Sequence, residues 1–249
     1  MRTLLALALL AAQGDDVAKG VRLLLDATAP LADREAAVKS LAKSRPGAEA
    51  LIALVDAEKF PEEMKATARF ALAASPDAGA REMGEKKLPR LKSKDGSPLP
   101  PIPELVAKKG DPVNGAKVFR RVEGPNCVAC HQIADEGKMV GPPLTTIGFK
   151  LSKEQMIESI LTPSAAILMG YETWAVRTKD GDVKSGIKVE DSDDHVTLKD
   201  NQGEYIDIPL AKIAEKKMLK LSMMPEDLTK AMTAQELVDL VEYMSTLRQ

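Results

Sequence analysis

The 249-residue chain carries 35 Lys and Arg against 37 Asp and Glu, a net charge of −2, with 44% hydrophobic residues. That length holds one large domain or two modest ones, and the apolar share is enough for a genuine core. The near-neutral balance gives no reason to expect nucleic acid or a membrane surface as a partner.

In chain order, the first segment reads as an export signal. Arg2 precedes the apolar run 4–12, and the small residues from Ala12 to Gly14 suit cleavage between Gly14 and Asp15. The run is too short to span a bilayer, which needs about 20 apolar residues. A buried first helical turn is the competing reading. No cysteine follows the run, so no lipid anchor on a cysteine is expected, nor any transmembrane segment beyond the signal peptide at 1–14. The expected location is periplasmic or otherwise extracytoplasmic.

Residues 15–87 are rich in Ala and Leu and read as helical throughout. Two stretches, "DREAAVKSLAKS" and "PEEMKATARFALAAS", repeat an apolar stripe about thirty residues apart, which is weakly HEAT-like. A plain helical bundle fits as well. Residues 88–105 hold five of the sixteen prolines and read as a semi-rigid linker.

Beyond it, Asp111 and Pro112 have the chemistry of an N-cap and first helical residue, and Gly115, Val118, Phe119 and Val122 fall on one face. The two cysteines of the chain then come together in "GPNCVACHQIA", as Cys127, Cys130 and His131. Three readings compete. A thioredoxin-like redox pair wants a strand before it and a helix at the first cysteine, and "VEGPN" supplies no such unit. A structural zinc site needs four ligands, which would draw in distant His195 or a carboxylate. C-x-x-C-H is also the covalent haem attachment motif, in which both thiols add to vinyl groups and the histidine ligates iron. Export agrees with this third reading, and one haem c is the expected cofactor.

Further along, Ser152 with Gln155, and Thr233 with Glu236, are capping boxes opening two amphipathic helices. Between them, 171–209 reads as two hairpins, the first with an Asp180-Gly181 turn. Trp174, Val176, Val183, Ile187, Val189, Val196, Leu198, Ile206 and Ile208 are candidates for one buried face. Four strands with a common apolar face make a small sheet or barrel.

This order of helix, C-x-x-C-H, G-P-x-L, helix, Met-Pro loop and terminal helix resembles a class I cytochrome c. In detail the chain is similar to the haem-binding C-x-x-C-H proteins of planctomycetes and verrucomicrobia, the PVC-type family. The likeness lies in Gly110-Asp111-Pro112 with Gly115, Val140-Gly141-Pro142 with Leu144, "ILTPSAAI", Gly170-Tyr171-Glu172, Asp180-Gly181, and Ser222 to Pro225. It covers residues 110–249. Pro143 and Thr162 stand where acidic residues are expected. The resemblance implies electron transfer through haem c, and the Pro142 carbonyl as acceptor for the second N–H of His131. It also implies that Gly115 and Phe119 on the first helix meet Tyr243 on the last.

For the distal ligand, a methionine thioether is a soft donor suited to haem iron. Met224, just before Pro225 and at the family's S-x-M-P position, is the candidate; Met223 is the register alternative. His195 falls on the polar face of a short strand, and Met139 lies close behind His131; both are weaker candidates. Lys212, Lys216, Lys217 and Lys220 read either as a solvated helix face or as a basic rim for an acidic partner.

The expected fold is thus mainly α with a β insertion. A helical, HEAT-like region precedes a cytochrome c domain at 106–249, interrupted at about 171–209 by a small four-stranded antiparallel sheet or barrel. The expected function is that of an electron carrier rather than an enzyme: an exported monohaem cytochrome passing single electrons between redox partner proteins. An electron-accepting haem subunit of an extracytoplasmic dehydrogenase, and a haem-based sensor or scaffold, remain as alternatives. A dihaem peroxidase is disfavoured by the single C-x-x-C-H.

Overall fold

The computed structural model describes residues 14–248; the export signal expected at 1–14 falls, apart from Gly14, outside them. The chain divides into two compact units. One runs through Lys92 and takes in Ser97–Leu105; the other comprises Ser93–Gly96 and the residues from Val106 onward.

The first unit contains α1 (Asp15–Leu25), α2 (Leu31–Leu41), α3 (Arg45–Asp56), α4 (Lys65–Ala73) and α5 (Ala78–Lys87). Ser44 and Asp77 cap α3 and α5 by accepting from the backbone N–H groups of Gly47 and Ala80. Leu24, Val38, Leu51, Met64, Ala68 and Leu72 are fully enclosed and make one continuous core. Arg34 is buried among them, donating to the Leu24 carbonyl at 3.0 Å and to Glu63 at 3.1 Å. The segment 88–105, expected as a linker, has Leu88, Leu99, Ile102 and Leu105 buried, and Lys92 bridges to Pro98.

In the second unit, α7 (Pro112–Arg120) packs against α10 (Ala234–Thr246), with α8 (Ile147–Lys150) and α9 (Lys153–Leu161) beside α10; the short α6 (Ile102–Ala107) spans the boundary between the units. The α7–α10 crossing is close because Gly115 has no side chain: a Cβ there would fall onto the Asp239 carbonyl. Phe119 meets Tyr243 edge to face, with ring centroids 6.0 Å apart. Buried Asp239 holds the crossing, accepting from the Asp111 N–H at 2.9 Å, Asn114 at 2.7 Å and Gln235 at 2.9 Å.

The strands require a correction to the expected fold class. The sheet has five strands rather than four, in the order β4-β3-β2-β1-β5, and it is open rather than a barrel. β1 (Thr173–Thr178), β2 (Val183–Asp191), β3 (His195–Lys199) and β4 (Tyr205–Pro209) are followed by β5 (Ile213–Met218), antiparallel to β1. With this sheet alongside the helices the protein is mixed α/β, not mainly α. Lys216 and Lys217 therefore lie on an edge strand, not on a helix face, and Lys216 pairs with Asp191 at 2.6 Å. The shared apolar face is also smaller than expected. Val176, Val196, Leu198 and Ile208 form its core, whereas Val183 and Val189 are exposed.

Candidate cofactor site

The motif sits on a tight local scaffold. Asn126, in the left-handed region at φ 46°, leads into a single 3-10 turn, Cys127–Ala129. The Cys127 carbonyl accepts from the N–H groups of Cys130 at 3.1 Å and His131 at 2.8 Å. This turn brings both thiols and the imidazole to one wall of a cavity of about 650 Å³. Both cysteines are free thiols.

The return segment fixes the histidine. Val140 and Gly141 donate to the Cys130 carbonyl at 3.0 and 2.7 Å, and Leu144 donates to Gln132 at 2.8 Å. Gly141 lies flat against the ring: a Cβ there would sit 2.6 Å from His131 Cε1. His131 Nδ1 is 2.7 Å from the Pro142 carbonyl oxygen. A carbonyl only accepts, so Nδ1 carries the proton and Nε2 keeps its lone pair, the state that a metal takes. Burial lowers the His131 pKa, with the Pro142 contact opposing it, which favours the neutral ring. Burial pushes the Cys127 thiol up to about 12 and raises Cys130 as well, the opposite of the lowering that activates a redox cysteine pair.

Met224, Met223 and Pro225 line the same cavity. Their loop is tied down by Ser164, which is buried: its hydroxyl donates to Glu226 at 2.9 Å and accepts from the Ser222 N–H at 3.1 Å. The Ser222 hydroxyl in turn accepts from the Met224 N–H at 3.1 Å. Phe119 on α7, Met156 and Ile160 on α9, and Leu240 and Met244 on α10 supply apolar lining.

His195 and Met139 are not part of this lining. His195 opens β3, with Nδ1 2.7 Å from Asp194, and Met139 is largely exposed. Ser164, Ile187 and Asn201 were not singled out from the sequence as site residues, although Ile187 and Asn201 line the cavity and Ser164 holds its Met-Pro loop. Nothing local marks them. Ser164 lies in a stretch whose only signal is its resemblance, and the other two arrive from β2 and from the turn after β3, far along the chain.

The donor set can be tested against the expected cofactor. Covalent haem needs two thiols beside an imidazole and an apolar slot, and a methionine thioether is a distal donor that suits it. Cofactor cavities run to about 300–1,000 Å³ with few polar groups. The lining of this cavity meets each requirement. No group of three or more His, Cys, Asp or Glu residues is gathered to hold a metal among the described residues, so their arrangement does not supply a four-ligand zinc site.

No family model matches the chain, and neither does any curated protein. Among solved structures, a chain of SoxXA from P. pantotrophus is similar at 16% identity and a TM-score of 0.31, over 64% of this chain and 99% of that one. A likeness that slight carries no argument about fold or function. No helix among the described residues is long and apolar enough to cross a membrane.

Proposed function

We propose that the protein is an exported monohaem c-type cytochrome that passes single electrons between protein partners, and that it belongs to the PVC-type C-x-x-C-H family it resembles. One observation carries this reading. Cys127, Cys130 and His131 share a cavity with Met224, and His131 Nδ1 is engaged by the Pro142 carbonyl so that Nε2 is left to ligate.

A haem c held there supplies the one-electron Fe(III)/Fe(II) chemistry. The chain's own residues do the rest. Cys127 and Cys130 would tether such a haem through their thiols, and His131 and Met224 would hold its iron, a pairing that raises the potential relative to two histidines. Phe119, Ile160 and Leu240 exclude water. The helical unit is read as the part that holds the chain to a partner, such as a dehydrogenase that delivers electrons.

The test is expression with a haem-attachment system, followed by acid-acetone extraction. Haem that stays with the wild-type protein supports the reading; a colourless protein sinks it. In the oxidised protein, Met224→Ala is expected to abolish the long-wavelength sulfur-to-iron band while Met223→Ala keeps it. Carbon monoxide binding to the reduced wild type at neutral pH as tight as to Met224→Ala would favour a sensor instead.

A further inference from the structure

The five-stranded sheet has no counterpart in the minimal order of helix, motif, helix, loop and helix, yet one of its turns reaches the proximal segment. Between β3 and β4, the Asp200 carboxylate accepts from the N–H groups of Gln202 and Glu204, both at 2.9 Å, which makes a rigid knuckle. Gly203 takes φ +86° at its tip.

That knuckle, together with the end of β3, meets residues 138–140 in three ways. Lys138 Nζ donates to the Gln202 carbonyl at 2.8 Å, and Lys199 Nζ donates to the Met139 carbonyl at 2.8 Å. In addition, the position a Cβ of Gly203 would take lies 3.3 Å from Val140 Cγ2, and Val140 itself is buried. The N–H groups of Val140 and Gly141 hold the Cys130 carbonyl, and the Pro142 carbonyl follows directly, on His131. From the same sheet, Ile187 and Asn201 enter the cavity lining.

We propose that the β3–β4 turn is a positioning element for the proximal ligand. It holds segment 138–142 so that the Pro142 carbonyl stays on His131 Nδ1, and in this way the sheet helps to set the reduction potential. The proposal rests on the haem reading above. Its sign is specific. Accepting from Nδ1–H makes the imidazole a stronger donor and favours the ferric state, so a loosened Pro142 contact raises the potential. A sheet that merely covered the cavity would act oppositely: its loss would admit water, which stabilises the extra ferric charge and lowers the potential.

The experiment uses charge-neutral variants of the full chain carrying haem. In Gly203→Val a β-branched residue must adopt a positive φ beside Val140, which displaces the turn. In Gly203→Asn the residue tolerates that φ, and wild-type behaviour is expected. Val140→Ala removes the packing contact without straining the turn; because Val140 also lines the cavity, its decisive readout is Gly141 exchange rather than potential, and this keeps a test should Gly203→Val fail to fold. The expected result is a raised midpoint potential in Gly203→Val. The Gly141 amide in both variants, and that of Val140 in Gly203→Val, are expected to exchange hydrogen about tenfold faster. An unchanged or lowered potential in Gly203→Val, or unchanged Gly141 exchange in Val140→Ala, overturns the proposal. If the wild-type chain carries no covalent haem, the haem reading itself fails, and unchanged Gly141 exchange in the haem-free variants then also rejects the hold.

Discussion

The helical unit and the cavity-bearing unit use buried apolar side chains differently. In the first, Leu24, Leu51, Met64 and Leu72 pack on one another in a filled core. In the second, Phe119, Met156, Ile160 and Leu240 are equally buried, yet each also faces the 650 Å³ cavity. The helices of both units follow the same periodicity, so hydrophobic patterning alone does not separate a scaffold from a receptacle. What separates them is what stands on the cavity wall: two thiols, an imidazole with one nitrogen engaged, and thioethers.

The largest expected effect that sharpens this contrast is a paired truncation. Leu51→Ala is expected to cost about 3 kcal/mol whether or not cofactor is loaded, since its neighbours are all protein. Ile160→Ala should cost clearly less in the haem-free chain than in the loaded one, where the lost contacts include the ligand. Denaturant unfolding of both variants, with and without haem, measures this, and equal costs for Ile160→Ala in the two forms would break the comparison.

A second effect lies at the junction of α7 and α10. Glu236 accepts from the Thr233 N–H at 2.8 Å and pairs with Arg121, which also donates to the Ala231 carbonyl at 2.9 Å. Glu236→Ala removes a cap and a charged hydrogen bond, and about 2 kcal/mol is expected to be lost from the second unit. Arg121 holds the Glu236 pKa below its ordinary value of 4.5. The stabilisation is therefore present above that ordinary value and lost as pH falls through the lowered folded one. Unfolding followed from pH 7 to pH 3 should show a shallower acid loss in Glu236→Gln than in wild type.

The smallest effect concerns the distal loop. Ser164→Ala removes the hydroxyl that joins the Ser222 N–H to Glu226, a contact worth about 1 kcal/mol. Weaker hold on Met224 should raise carbon monoxide affinity of the reduced protein about fivefold, one kcal/mol expressed as a ratio. Titration of the reduced protein followed by absorbance reads it.

Much of the second unit was legible because its signals are local. The capping boxes at Ser152 and Thr233 are both made, since each needs only two residues three apart. β1 through β4 follow alternation and turn chemistry. β5 was not legible, because "IAEKKM" is exposed nearly throughout and is built from poor strand formers; only pairing with β1 makes it a strand. The same holds at the site. The proximal half is contiguous and reads directly, whereas Ser164, Ile187 and Asn201 join it through contacts of long sequence separation that no window displays.

The crossing of α7 with α10 also orders events during synthesis. Phe119 finds its cover in Tyr243, and the Asp111 N–H finds its acceptor in Asp239, 128 positions downstream. The helical unit, whose residues run no further than Leu105, can close while the rest is still emerging from the ribosome. The other unit has to wait for α10, whatever follows it in the chain. A translation product stopped before Ala234 would therefore keep an intact helical unit and leave Phe119 and Val118 wet, an exposed apolar flag of the kind that proteases and chaperones recognise.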